Sequence, residues 1–175
     1  MTDQFVPFGS EAYFCLLVLL LFSRGMDFLS TWIATPNLLL EANPIARRLG
    51  WRMGIALNVA ICIMSALWPL PAIILVTTSL LVASRNFQVA WLIRSMGENG
   101  YRFWYAETVS QIDFSFYVFC LFGQTLLVAL IGGALTFFSG NNLIVFAVGM
   151  GMVAYSIVVM FFTLYGARHL RRPWS

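Results

Sequence analysis

Charge is scarce in this 175-residue chain: Asp, Glu, Lys and Arg make up 10% of it, 61% is hydrophobic, and the mean hydropathy is +0.85. That composition excludes a soluble globular domain of ordinary make-up, in which about 25% of residues are charged. Lysine is absent altogether, and the ten basic residues are all arginine, set against seven acids for a net charge of +3. Beside long apolar runs, such a balance points to a lipid bilayer with anionic headgroups and not to nucleic acid. Cysteine is thinly spread: Cys15, Cys62 and Cys120 lie far apart without any C-x-x-C spacing, which argues against a disulfide framework or a zinc site. They read as small packing residues. His169 stands without a neighbouring carboxylate or thiol among Arg168, Arg171 and Arg172, so it reads as interfacial charge and a poor metal ligand. No cofactor motif is evident, and no metal site is expected.

What remains is a set of apolar runs separated by short polar punctuation, with no linker, low-complexity tract or repeat. The expectation is an all-α, polytopic bundle of about five spans in one integral membrane domain covering residues 1–175. The first run, Glu11 to Ala34, is too long for the apolar core of a signal peptide and lacks a basic start, since Asp3 and Glu11 precede it. It reads as a retained span. The second, Met53 to Trp68, stops at the Trp68-Pro69-Leu70-Pro71 hairpin, and a third covers Ala72 to Ile93. A fourth covers Ile112 to Phe138, and a fifth, after Ser139-Gly140-Asn141-Asn142, runs from Leu143 to Gly166.

Arginine placement orients the bundle. With the N-terminus outside and five spans, Arg47, Arg48, Arg52, Arg94, Arg102, Arg168, Arg171 and Arg172 all fall on the cytoplasmic side. Arg24 and Arg85 remain inside spans, where an ionisable group is expensive unless it is paired, hydrated or able to snorkel. Arg24, Asp27 and Thr31 share one face of the first helix, Asn58, Cys62 and Ser65 recur on the second, and Thr78, Arg85 and Gln88 on the third, with Asn86 beside them. Counting along the helices brings Asp27, Asn58 and Arg85 to similar depth, a little inside the cytoplasmic interface. Either they form a polar lock that fixes helix register, or they line a hydrated cavity that takes a cation, a proton or an anionic headgroup. At its cytoplasmic mouth stand Glu41, Asn43, Pro44, Arg47 and Arg48. Asn43 and Pro44 suit an N-cap and first helical turn, while Glu41 either favours that helix's positive end or folds back toward Asp27.

Asp27, Thr31, Glu41, Asn43 and Pro44, in that spacing, resemble a family of small prokaryotic multi-span membrane proteins known as a domain of unknown function. The resemblance covers about the first third of the chain. It departs from the family pattern at Asn37 to Leu40, where a glycine shortly before the glutamate would be usual. It implies the membrane class and a prokaryotic cytoplasmic membrane, and no activity.

The stretch from Arg94 to Gln111 reads as a cytoplasmic loop whose Tyr101, Arg102, Phe103, Trp104 and Tyr105 mark the headgroup belt, as do Trp51, Trp68, Trp91 and Trp174. Small residues four apart, Ala129 and Gly133 on the fourth span and Ala147 and Gly151 on the fifth, predict close packing within the chain, the same pattern being able to serve a homodimer. Three function classes follow: a small transport or binding module, an accessory subunit with a membrane-protein partner, and an intramembrane enzyme. The enzyme would act on a lipid-linked or phosphorylated substrate, with Asp27 and Glu41 as metal ligands or acid and base and Arg24, Arg47 or Arg48 holding phosphate. The chain lacks both the aspartate-rich signature of CDP-alcohol phosphotransferases and the Gly-x-Ser-x-Gly of rhomboids.

Overall fold

Local signals in the sequence start each helix. Ser10 accepts the Tyr13 amide at 3.2 Å and opens α1 (Glu11–Ala34). Asn43 Oδ1 accepts the Ile45 amide at 3.0 Å, and with Pro44 in the first turn it opens α2 (Pro44–Ser65). Pro69 opens α3 (Pro69–Gln111), Asp113 caps α4 (Phe114–Phe137) through the Ser115 amide at 3.0 Å, and Asn142 Oδ1 caps α5 (Leu143–Leu170) through the Ile144 amide at 3.0 Å. The computed structural model describes residues 4–41 and 43–170, with side chains through Arg168, and contains no strand among them. The readings for the side chains of His169, Arg171, Arg172 and Trp174 fall outside the described residues.

Four helices, α1, α3, α4 and α5, are long and apolar enough to cross a membrane. The second predicted span falls mostly in α2, but that helix begins earlier, at Pro44, ends at Ser65, three residues before the predicted Trp68, and takes in Arg47, Arg48 and Arg52, which keep it out of the apolar set. A second correction concerns residues 94–111, expected as a loop: α3 runs on through them to Gln111. The chain needs no loop there because one glycine makes the break. Gly97 takes φ 72° and ψ 160°, a conformation open essentially to glycine alone, and Gly50 does the same in α2 at φ 64° and ψ −175°.

Cross-helix contacts give the directions. Tyr13 meets Ile63 and Arg24 meets Asn58, so α1 and α2 are antiparallel; Arg24 with Ser79 and Thr35 with Glu98 make α1 and α3 parallel. Thr78 with Gly151 and Arg85 with Thr163 make α3 and α5 parallel, whereas α4 returns against α5. The helices form a row, α4–α5–α3–α1, with α2 lodged against α1 and α3. One end of the row, where α1 and α5 begin, carries Glu11 as the described charge; at the other lie Arg47, Arg48, Arg52, Arg94, Arg102 and Arg168.

The small-residue seam exists, shifted from its expected register by one residue on α4 and two on α5. A Cβ on Gly132 would meet the Gly149 carbonyl at 2.6 Å, so these two glycines let α4 and α5 touch backbone to backbone. Gly133 faces open space, and Gly151 packs instead on Thr77 and Ile74 of α3. The period was read correctly, but on a helix it cannot tell one flank of the stripe from the next.

Candidate functional site

The centre of the polar cluster is Arg24. Its Nη1 donates to Asp27 Oδ2 at 3.0 Å and to Ser79 Oγ at 3.1 Å, while Nε donates to Asn58 Oδ1 at 2.8 Å and Nη2 donates to the same oxygen. Asn58 is itself steadied by donating to the Gly54 carbonyl at 2.8 Å, one turn earlier. One guanidinium thereby ties together α1, α2 and α3. Arg24, and not Arg85, is the mate of Asp27.

The side chains reach backward along α1, as helical side chains do. Ser79 stands ten residues into α3, about 15 Å from its start, which is close to half the depth of a hydrocarbon core of about 30 Å. The guanidinium is therefore deeper than counting Cα positions places it, since the count ignores a side chain that runs toward the bilayer centre. Asp27 and Arg24 are 17% and 26% exposed, so the pair is largely enclosed, and no buried side-chain nitrogen or oxygen among the described residues lacks a partner. Asp27 Oδ1 accepts no hydrogen bond from a described residue.

The other predicted members divide. Asn86 Nδ2 donates to Thr31 Oγ1 at 3.2 Å and Ser30 Oγ at 3.3 Å, a second α1–α3 tie one to two turns nearer the arginine-rich end. Arg85 leaves the cluster entirely: it faces α5 and donates through Nη2 to Thr163 Oγ1 at 3.0 Å. Gln88 is exposed and joins neither group.

At the mouth, Glu41 stands at the start of α2. Its Oε1 accepts the Asn43 amide at 2.8 Å, next to the start of α2, and it lies within electrostatic reach of Asp27. Burial pushes the Glu41 carboxyl above its ordinary value, opposed by the Asn43 amide and by Arg47. Arg48 is placed at the same end and enters none of these bonds.

Glu98 is the residue that sequence reasoning missed. Its carboxylate accepts from Thr35 Oγ1 at 3.0 Å, from the Asn37 amide at 2.9 Å and side chain at 3.1 Å, and from the Leu39 amide at 3.3 Å. It clasps the α1–α2 loop to α3 just past the Gly97 break, and a cleft of about 330 Å³ lies beside it. The available signal was a Gly-Glu pair inside what read as a loop. Within that clasped loop Leu38 holds φ 56°, the left-handed region that suits glycine.

Among the described residues no group of three or more His, Cys, Asp or Glu side chains is placed to hold a metal ion. Comparison of the whole chain with family models, with curated proteins and with solved structures found no match.

Proposed function

We propose that this chain is a small integral membrane protein that serves as an accessory subunit of a larger membrane assembly, with Arg24 and its partners acting as a register lock. The observation that carries the reading is the engagement of Arg24: all three guanidinium nitrogens donate to Asp27, Asn58 and Ser79, on three different helices. A group so fully engaged at mid-depth has little left to offer a passing ion, and it makes helix register specific. The row architecture supports the same conclusion. Four helices in a row with α2 lodged against one end of it leave little room for a central pathway, and α2 presents Ile55, Leu57, Val59, Ile61 and Ile63 outward on an apolar surface.

In this reading α2 crosses the membrane with the other four helices. Its antiparallel run beside α1, and its apolar residues on nearly every face, support that. The arginine-rich end is then cytoplasmic and the start of α1 external. Membership of the resembled prokaryotic family belongs to the same proposal.

The second reading, an intramembrane enzyme working on a lipid-linked or phosphorylated substrate, is favoured by one observation. Asp27 keeps Oδ1 unengaged while Glu41, a second carboxylate, lies within electrostatic reach. Native Cys62 separates the two, because it is 1% exposed and near Arg24, whereas Cys15 and Cys120 are exposed to the surroundings of the bundle. With Cys15 and Cys120 replaced by serine, an impermeant thiol reagent added to oriented membranes should leave Cys62 unlabelled from both sides. Rapid labelling from one side would reveal a hydrated cavity and displace the lock in favour of substrate chemistry.

A further inference from the structure

Arg85 differs from Arg24 in every respect that matters for binding. A guanidinium carries five N–H donors, and one hydrogen bond, from Nη2 to Thr163 Oγ1, is what Arg85 makes with the described residues. No carboxylate among them lies within salt-bridge distance of it. Its side chain is partly exposed, and no buried side-chain nitrogen is left without a partner, so its remaining donors face accessible space.

Its level in the membrane is also different. Arg85 lies sixteen residues into α3, about 24 Å from its start, but Thr163 lies twenty residues into the parallel α5, about 30 Å from its start. The guanidinium therefore leans toward the arginine-rich end and arrives at the edge of a core of about 30 Å, the level of lipid phosphates. Tyr101, Tyr105 and Tyr155 are within its electrostatic reach, and the Tyr105 hydroxyl is 2.7 Å from that of Tyr117 on α4. An unpaired cation with free N–H groups in a planar fork, beside the Thr163 hydroxyl, matches the oxygens of a phosphoryl group, to which arginine binds in a bidentate manner.

We propose that Arg85, with Thr163 and the tyrosines Tyr101 and Tyr105, forms an anion site for the phosphoryl group of an anionic phospholipid or of a free phosphate compound. The site is separate from the Arg24 lock and does not depend on the accessory-subunit reading. It takes a ligand from the arginine-rich side, between α3 and α5.

The test uses the purified full chain in detergent micelles. Native mass spectrometry measures retention of phosphatidylglycerol against phosphatidylcholine, and thermal unfolding is followed with and without inorganic phosphate. The unchanged protein should retain phosphatidylglycerol selectively, and Arg85→Gln should lower that retention about tenfold, in line with the loss of a charge-assisted pair. Arg52→Gln, which removes an exposed arginine from α2, should not. If inorganic phosphate raises the unfolding temperature and displaces the lipid, the site serves soluble phosphoryl compounds; if phosphate has no effect while the lipid preference stands, it is a headgroup site. Should Arg85→Gln fail to fold, Tyr101→Phe and Thr163→Val replace it, with lowered retention expected in both. Equal retention of the two lipids by the unchanged protein together with indifference to phosphate, or full selectivity in the variants, would overturn the proposal.

Discussion

The Arg24–Asp27 pair is joined to α2 and α3 unevenly, and that asymmetry makes a quantitative prediction. Asp27→Asn leaves the guanidinium with Asn58 and Ser79 still in place, so one charge-assisted bond is lost and the remaining cation keeps two side-chain partners. The expected destabilisation is about 1–2 kcal/mol. Arg24→Gln does something worse. It removes the one hydrogen-bond donor that the Asp27 carboxylate has among the described residues and leaves that group, 17% exposed within a membrane-spanning helix, with Glu41 in electrostatic reach. Breaking a buried pair in that way costs about 3–5 kcal/mol. The double variant Arg24→Gln/Asp27→Asn removes both charges together and should be more stable than Arg24→Gln alone, giving a coupling energy of about 2 kcal/mol. Unfolding by a denaturing detergent, followed by tryptophan fluorescence, measures all three, with the labelling rate of Cys62 as an independent report on the same region. Additive effects, or an Asp27→Asn variant as unstable as Arg24→Gln, would refute the reasoning.

Leu38 sits at φ 56° in a clasped loop, and Leu38→Gly should stabilise the fold by about 0.5–1 kcal/mol, the relief of left-handed strain exceeding the added chain entropy; loss of stability in an unfolding titration would show that its side-chain contacts matter more. Adjacent glycines in α4 should respond oppositely: Gly132→Ala drives a methyl group into the Gly149 carbonyl and should cost about 1–3 kcal/mol, while Gly133→Ala, which meets open space, should be neutral or slightly stabilising. The carboxyl of Glu41 binds its proton more tightly in the folded chain than in the unfolded one, so its contribution to stability is present at acid pH and is lost as pH rises from the ordinary glutamate range through the raised value. A pH series of thermal unfolding should therefore show the native chain falling relative to Glu41→Gln across that window, and parallel curves would contradict it.

Much of the fold was legible because the bilayer forces its own periodicity on the chain. The bounds of α1 were readable from Ser10, Glu11 and the apolar run, and Ser139 to Asn142 announced the last turn. Glycine defeated the reading where it acts within a helix: at Gly50 and Gly97 the backbone of α2 and α3 breaks and then resumes as helix, so polar stretches that looked like loop are helical, and one helix was begun too late and another ended too early. In the site, residue type and spacing were enough to gather Arg24, Asp27 and Asn58, since all three must hide from lipid. They were not enough to separate Arg85, because its stripe on α3 lies at similar depth and only the packing of α5 shows which way it turns. Glu98 was missed for a related reason. The Gly-Glu pair marks a break, but nothing local says that its carboxylate clasps a loop some sixty residues away in sequence.

The links at the charge-poor end are very short: residues 66–68 join α2 to α3, and residues 138–142 join α4 to α5. At the opposite end the chain lays out the 35–43 loop, the helical segments beyond Gly50 and Gly97, and the arginines. Apart from the segment leading into α1, where Phe5 and Phe8 are exposed, the charge-poor face offers a water-borne antibody, protease or ligand little beyond short turns. The arginine-rich face offers longer loops and charged side chains, so epitope tags and cross-linkers are better built there.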